Sequence, residues 1–256
     1  MAKRILAWIR HGEYAQPPGV PSAHLPHGLT PVGREQARAA AHLVWQFASQ
    51  HALTLDTAVD CSRLLRAWET ADVMARELER LGSPQLTLRE VDALMERGLG
   101  AAANLDIEQI EAVLAADPRH ETPPPGWKRD AHYVLPLPGA ESLAQAGERL
   151  ARHVRARMRA LQANSALATD RSSSTAAGDE GAPATLTLFV GHGGAFRHAA
   201  SVLGLLATAD LQRLSMQHGA PIFFEFHPGR DGDAAGERWA RVAGDWRERP
   251  ANASVD

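Results

Sequence analysis

The sequence predicts an α/β fold arranged as a three-layer sandwich, with a mainly parallel central sheet and helices on both faces. Two observations carry this expectation. Short apolar runs, such as residues 5–9 and "LTLFV" at 186–190, read as strands covered on both faces. Between them lie longer segments whose apolar residues recur at helical spacing, and strand–helix alternation favours parallel pairing through crossovers. No internal repeat is evident.

In chain order, Ile5, Leu6 and Ile9 make the first strand, and the proline-rich loop "AQPPGVPSAHLPHG" follows. Thr30 reads as an N-cap with Pro31 at the first helical position, and Ala37, Ala40, Ala41, Val44, Phe47 and Ala48 form one buried stripe. A short strand near Thr57 to Asp60 leads through "CSRLLR" into a second helix. There Ala71, Met74, Ala75, Leu78 and Leu81 share a face and Gly82 suits the stop. "LTLREV" reads as another strand. A long helix is expected from about Ser142 to Leu161, with Leu143, Ala146, Leu150, Val154, Met158 and Leu161 on one side. Residues 164–184, rich in Ser, Thr, Ala, Gly and Asp, offer little to bury and are expected to be a mobile insertion. After "LTLFV" and "GHGG" come a helix from about Ala195 to Leu206, a last strand "PIFFEF", and a polar C-terminal tail.

With 256 residues and 45% hydrophobic content, the chain suffices for a full core, and residues 1–256 are expected to form one domain. The formal charge of -3, with no long block of one sign, gives no sign of a nucleic-acid face or a membrane patch. Small-molecule chemistry is the class left open. Cys61 stands alone, so an internal disulfide and a cysteine-based zinc cluster are both ruled out. The start "MAKRILAWIR" has too few apolar residues for a signal core, and a cytoplasmic location is expected.

Open parallel sheets gather ligands outside the carboxyl ends of their strands. Reactive side chains fall at four such ends: Arg10 and His11 after the first strand, Arg66 after the second, Glu96 after the strand near Leu88, and His192 after "LTLFV". This inventory suits phosphoryl transfer. Guanidinium forks grip equatorial oxygens in two-pronged fashion, as Arg10 and Arg66 would. A neutral imidazole, His11, attacks phosphorus and splits one hard displacement into two easier ones. His192 would be a charged donor to the phosphoryl group, and Glu96 would protonate the departing alkoxide. Gly12 lets backbone and substrate come close, and Gly193 is a further candidate for substrate contact.

The segments "IRHGEY", "LTPVGREQA", "CSRLLRAWETA", "LMERGLG", "PGAESL" and "FVGHGGAFRH", in that order, resemble the histidine phosphatase superfamily, which includes the cofactor-dependent phosphoglycerate mutases. The resemblance runs from about Ile5 to Leu206. It implies that His11 is the phosphorylated nucleophile, that Arg10, Arg66 and His192 complete the phosphate pocket, and that Glu96 is the proton donor. Arg63 competes for the arginine role, but the family's pocket arginine directly precedes an alanine, as Arg66 precedes Ala67.

The remaining histidines, His24, His27, His42, His51, His132, His153, His198, His218 and His227, are expected to be surface or structural groups. "HLPH" lacks a cysteine or acidic partner, so no metal and no other cofactor is expected. Tyr14 is followed by "AQPPG", where the mutases of the family continue with residues that hold a sugar-acid, and this favours a phosphatase acting on a small phosphorylated substrate. Lys128 and Arg129 after Trp127, placed somewhat as mutases place an anion-reading pair, are candidate substrate-binding residues and keep a mutase as the alternative. A noncatalytic phosphate-binding protein is a third reading. The sequence leaves the oligomeric state open.

Overall fold

The computed structural model describes residues 3–172, 184–229 and 236–249. Its centre is a seven-stranded sheet built on β1 (Arg4–Arg10), which pairs in parallel with β5 (Thr185–Gly191) from Arg4↔Thr185 to Arg10↔Gly191. On the far side of β5 lie β3 (Ala58–Cys61) and then β4 (Thr87–Glu90), both parallel, and the two-residue β2 (Thr54–Leu55) also pairs with β5. The other side of β1 carries β7 (Pro221–His227) and then β8 (Arg238–Ala243), both antiparallel to their neighbours. A separate two-stranded ribbon joins β6 (Leu214–Ser215) to β9 (Arg247–Glu248).

All seven residues of β1 are buried, because side-chain alternation sends them into two different cores. Ile5, Ala7 and Ile9 join the core under α1 (Pro31–Gln50) and α2 (Leu65–Arg80). Leu6 and Trp8 join the opposite core, under α4 (Leu143–Ser172) and α5 (Gly193–Val202). Helices leaving β1 and β5 therefore go to opposite faces although the strands are neighbours, and this opens a crevice at their carboxyl ends. Thr30 caps α1 as expected, its Oγ1 accepting from Gly33 N at 3.0 Å. Gly147 of α4 lets α5 approach: a Cβ there would lie 2.5 Å from that of His198.

A smaller cluster forms a third core. It packs Ile110 and Leu114 of α3 (Ile107–Ala116) with Trp127, Leu135, Leu99 and Ala23, and α3 begins with a capping box between Asp106 and Gln109.

Four elements depart from the sequence reading. α4 continues to Ser172, so the first part of the expected mobile insertion is helical, and 173–183 lie outside the described residues. The expected polar tail contributes β8 and β9, whose residues are mostly exposed and so carry no apolar strand signal. The helix α3 lies in a stretch that the sequence reading left unassigned. No helix among the described residues is long and apolar enough to cross a membrane.

Candidate active site

The ends of β1, β3 and β5 converge on His11. Its main-chain N–H donates to Gly191 O at 2.9 Å, which continues the β1–β5 ladder by one bond and fixes the residue just beyond the sheet. The ring is 1% exposed. Nδ1 lies 2.7 Å from Gly12 O. A carbonyl only accepts, so Nδ1 carries the proton and the lone pair of the neutral ring stands on Nε2. Arg66 Nε donates to that Nε2 at 3.3 Å. Burial first, then the charges of Arg66, His192, Arg10 and His218, hold His11 well below the usual histidine pKa. It is a neutral imidazole beside fixed cations.

Arg66, in the first turn of α2, is fully buried. Its Nη1 and Nη2 donate to Leu25 O at 3.1 Å and Ala23 O at 2.8 Å, and its guanidinium lies over the Tyr14 ring at 4.6 Å. Arg63 turns outward instead and pairs with Glu90 and Asp92. Arg10 is buried on the other side, with Nη1 donating to Met216 O at 3.0 Å.

His192 ends β5 and is the N-cap residue of α5, its ring centroid 5.0 Å from that of His11. Its Nε2 lies 2.8 Å from Ser62 Oγ, while its Nδ1 is buried with no hydrogen-bond partner among the described residues. Burial, Arg66 and Arg10 hold its pKa well below the usual value. Burial first, and then the neighbouring arginines, thus favour the neutral ring over the expected charged donor, and an anion would offset the arginines. A phosphoryl group would supply that anion.

Glu96 is 3% exposed and sits against the start of α5. Its Oε1 accepts from the N–H groups of Arg97 and Ala195, at 2.9 and 3.0 Å, and its Oε2 from Gly194 N at 3.0 Å. The glycines of "GHGG" make this packing possible. A Cβ on Gly194 would come within 2.6 Å of Glu96 Oε1, and one on Gly193 within 3.1 Å of Arg10 Nε. Gly193 therefore makes room for the arginine. Gly12 answers to a backbone as well: a Cβ there would lie 2.3 Å from Gly33 O, so its immediate need is the start of α1.

The fold thus brings Arg10, His11, Arg66, Glu96 and His192 together, whereas Lys128 and Arg129 share one turn and differ in burial. Lys128 is half-buried in the short turn Trp127–Arg129, whereas Arg129 is exposed and its carbonyl accepts from Gln212.

Two histidines depart from the surface or structural expectation. His218 Nδ1 donates to His11 O at 2.8 Å, with ring centroids 5.1 Å apart, and His24 Nε2 donates to Glu96 O at 3.0 Å. Their loops carry no strand or helix period, so nothing in the sequence placed them here. Tyr14, edge-on to His11 at 5.3 Å, and Ser62 stand inside recognised segments, and only the fold shows their contacts. Arg97, beside Glu96, is 5% exposed, and burial lowers its pKa. Among the described residues no group of three or more His, Cys, Asp or Glu is placed to hold a metal. Cys61 is buried with its thiol pKa pushed up to about 12.

Residues 6–239 match the family profile described as histidine phosphatase superfamily, branch 1. Among solved structures, a mycobacterial glucosyl-3-phosphoglycerate phosphatase is similar at 23% identity over 93% of this chain and 97% of that one, with a TM-score of 0.62. The same phosphatase in complex with VO3 gives 25% identity over 93% and 97%, with a TM-score of 0.60. A putative alpha-ribazole-5'-P phosphatase from Escherichia coli gives 22% identity over 94% and 97%, with a TM-score of 0.59. No curated protein matches the sequence.

Proposed function

Because the chain belongs to the histidine phosphatase superfamily, we propose that it hydrolyses a small phosphomonoester through a phosphohistidine at His11, without a metal. The observation that carries this reading is the His11 tautomer, with Nδ1–H tied to Gly12 O and the basic Nε2 beside Arg66. In the first step Nε2 attacks phosphorus, the P–O ester bond breaks, and Glu96 gives its proton to the leaving oxygen. In the second, water attacks phosphorus, Glu96 takes a proton from that water, and the P–N bond breaks to release phosphate. Arg10 and Arg66 stabilise the charge on the equatorial oxygens, and His192, with its unpartnered Nδ1, donates to the same group.

Similarity to phosphatases that are named for phosphorylated metabolites supports a small substrate. Hydrolysis is favoured over mutase transfer because Tyr14 is followed by "AQPPG", where the mutases of the family continue with residues that hold a sugar-acid. The intact set of five residues weighs against a noncatalytic phosphate binder. Turnover of p-nitrophenyl phosphate in EDTA tests the reading. It requires wild-type hydrolysis that chelation leaves intact and that vanadate inhibits; absence of hydrolysis, or loss in EDTA that a divalent ion restores, would overturn it.

A further inference from the structure

Glu96 lies between the short helical turns Asp92–Leu94 and Gly100–Ala102, where no sheet ladder fixes its main chain. A proton donor has to stand at a set distance from the leaving oxygen, and a misplacement of about 1 Å costs as much as 10²-fold in rate. Side chains from two other elements supply the hold. Arg149 of α4 donates from Nη1 and Nη2 to Met95 O, each at 3.3 Å, and from Nη1 to Asp92 O at 2.9 Å. His24, from the proline-rich loop, donates from Nε2 to Glu96 O itself at 3.0 Å. The carbonyl only accepts, so this nitrogen carries a proton. The ring packs on Gly98, where a Cβ would lie 3.3 Å from His24 Cε1.

The place of His24 in its loop joins this bond to the other half of the site. The carbonyls on either side of it, Ala23 O and Leu25 O, are the two that Arg66 binds, at 2.8 and 3.1 Å, and Nε of the same guanidinium meets His11 Nε2 at 3.3 Å. Ser22, one residue earlier, accepts from Tyr14 Oη at 2.8 Å. A continuous path of bonded groups therefore runs from the His11 ring through Arg66 and the backbone of 23–25 to the main chain of Glu96. His11, Arg66, Ala23, Leu25 and Glu96 are all buried, and His24 is half-buried. We propose that His24 is a positioning residue: its Nε2–H sets where Glu96 stands relative to His11, so that the carboxyl group reaches the leaving oxygen while His11 attacks phosphorus. His24 transfers no proton in this role. The proposal rests on the phosphatase reading, in which Glu96 is the acid.

The test compares kcat/KM of the full chain on 4-nitrobenzyl phosphate, which leaves as an alkoxide and needs the acid, with p-nitrophenyl phosphate, which leaves unaided. This parameter ends at breaking of the ester bond, so the later hydrolysis of the phosphohistidine does not enter it. His24→Phe keeps a ring and removes the donor. It should lower kcat/KM about tenfold on the benzyl ester, the scale of one hydrogen bond, and about threefold or less on the nitrophenyl ester. His24→Gln keeps an N–H of similar reach and should recover most of the loss, whereas a packing role predicts that the phenylalanine is the better replacement. Should His24→Phe fail to fold in urea titration, His24→Leu removes the same donor and is read in its place. Equal losses on the two esters, no loss, or a His24→Gln as impaired as His24→Phe would overturn the proposal and leave the phosphatase reading standing. Wild type that hydrolyses neither ester would overturn that reading and the proposal with it.

Discussion

Arg66 Nε donates to His11 Nε2 at 3.3 Å, while the other two nitrogens of the same guanidinium hold Ala23 O and Leu25 O. One buried side chain therefore couples His11 to the loop that carries Ala23 and Leu25. A lysine has one point of attachment and does not span His11 and two carbonyls. Arg66→Lys should lower kcat/KM by about 10²–10³, the scale of removing one preorganised donor. It should also make residues 15–28 more open to limited proteolysis. Unchanged proteolysis alongside lost activity would show that the loop is held by other contacts.

The Glu96 carboxyl group accepts three backbone N–H bonds, and this shapes the outcome of Glu96→Gln. Glutamine has no acidic proton, and its NH₂ would face a backbone N–H in place of an oxygen. Both an alkyl phosphate and p-nitrophenyl phosphate should therefore lose turnover. The alkyl ester should lose about 10²–10⁴ more in kcat/KM, because nitrophenolate leaves without help and an alkoxide does not. Equal losses on the two substrates would remove Glu96 from the acid's role.

His218 holds His11 through its main chain, with Nδ1–H on His11 O at 2.8 Å. An asparagine at this position keeps an N–H donor, and an alanine does not. His218→Ala should lower kcat about tenfold with little change in KM, the cost of one hydrogen bond, and His218→Asn should recover most of it. A loss in His218→Asn as large as in His218→Ala would mean that the imidazole itself is required.

Three buried histidines set the acid limb of stability. His11 and His192 are held well below the usual pKa near 6.5, and His198 is pushed down to about 4, by burial first and then by neighbouring cations. The unfolded chain therefore takes up protons that the native state refuses. Stability is full above about pH 6.5 and falls as pH drops below it, by about 1.4 kcal/mol per pH unit for each histidine. For His198 the loss continues down to about pH 4. Urea unfolding at pH 7, 6 and 5 measures this slope, and His198→Asn should reduce it by one proton's worth. A slope that His198→Asn leaves unchanged would show that His198 does not contribute.

What the sequence made legible was periodic or local. Residues 5–9 are apolar throughout and 186–190 are so except for Thr187, because both faces of β1 and β5 are buried, and the helical stripes of α1 and α2 match the residues in their core except for Leu81, which follows the end of α2. The groups now around His11 could be named because each follows a strand at one edge of the sheet. β8 was not legible, since most of its residues are exposed and no apolar alternation marks it. Nor were His24, His218 and Arg97. Each reaches the site through a loop or a turn, and their roles depend on tertiary contacts such as the 3.0 Å bond from His24 to Glu96 O, which no spacing encodes.

The most direct test is the chemistry of His11 itself. Rapid quench with ³²P-labelled substrate, followed by digestion and separation of the phosphohistidine isomers, reads both the residue and the nitrogen. With Nδ1–H held by Gly12 O at 2.7 Å, the adduct should be acid-labile, base-stable, confined to His11 and borne on Nε2, and His11→Ala should form none. An adduct on Nδ1 or on another residue, or full turnover by His11→Ala, would contradict the account.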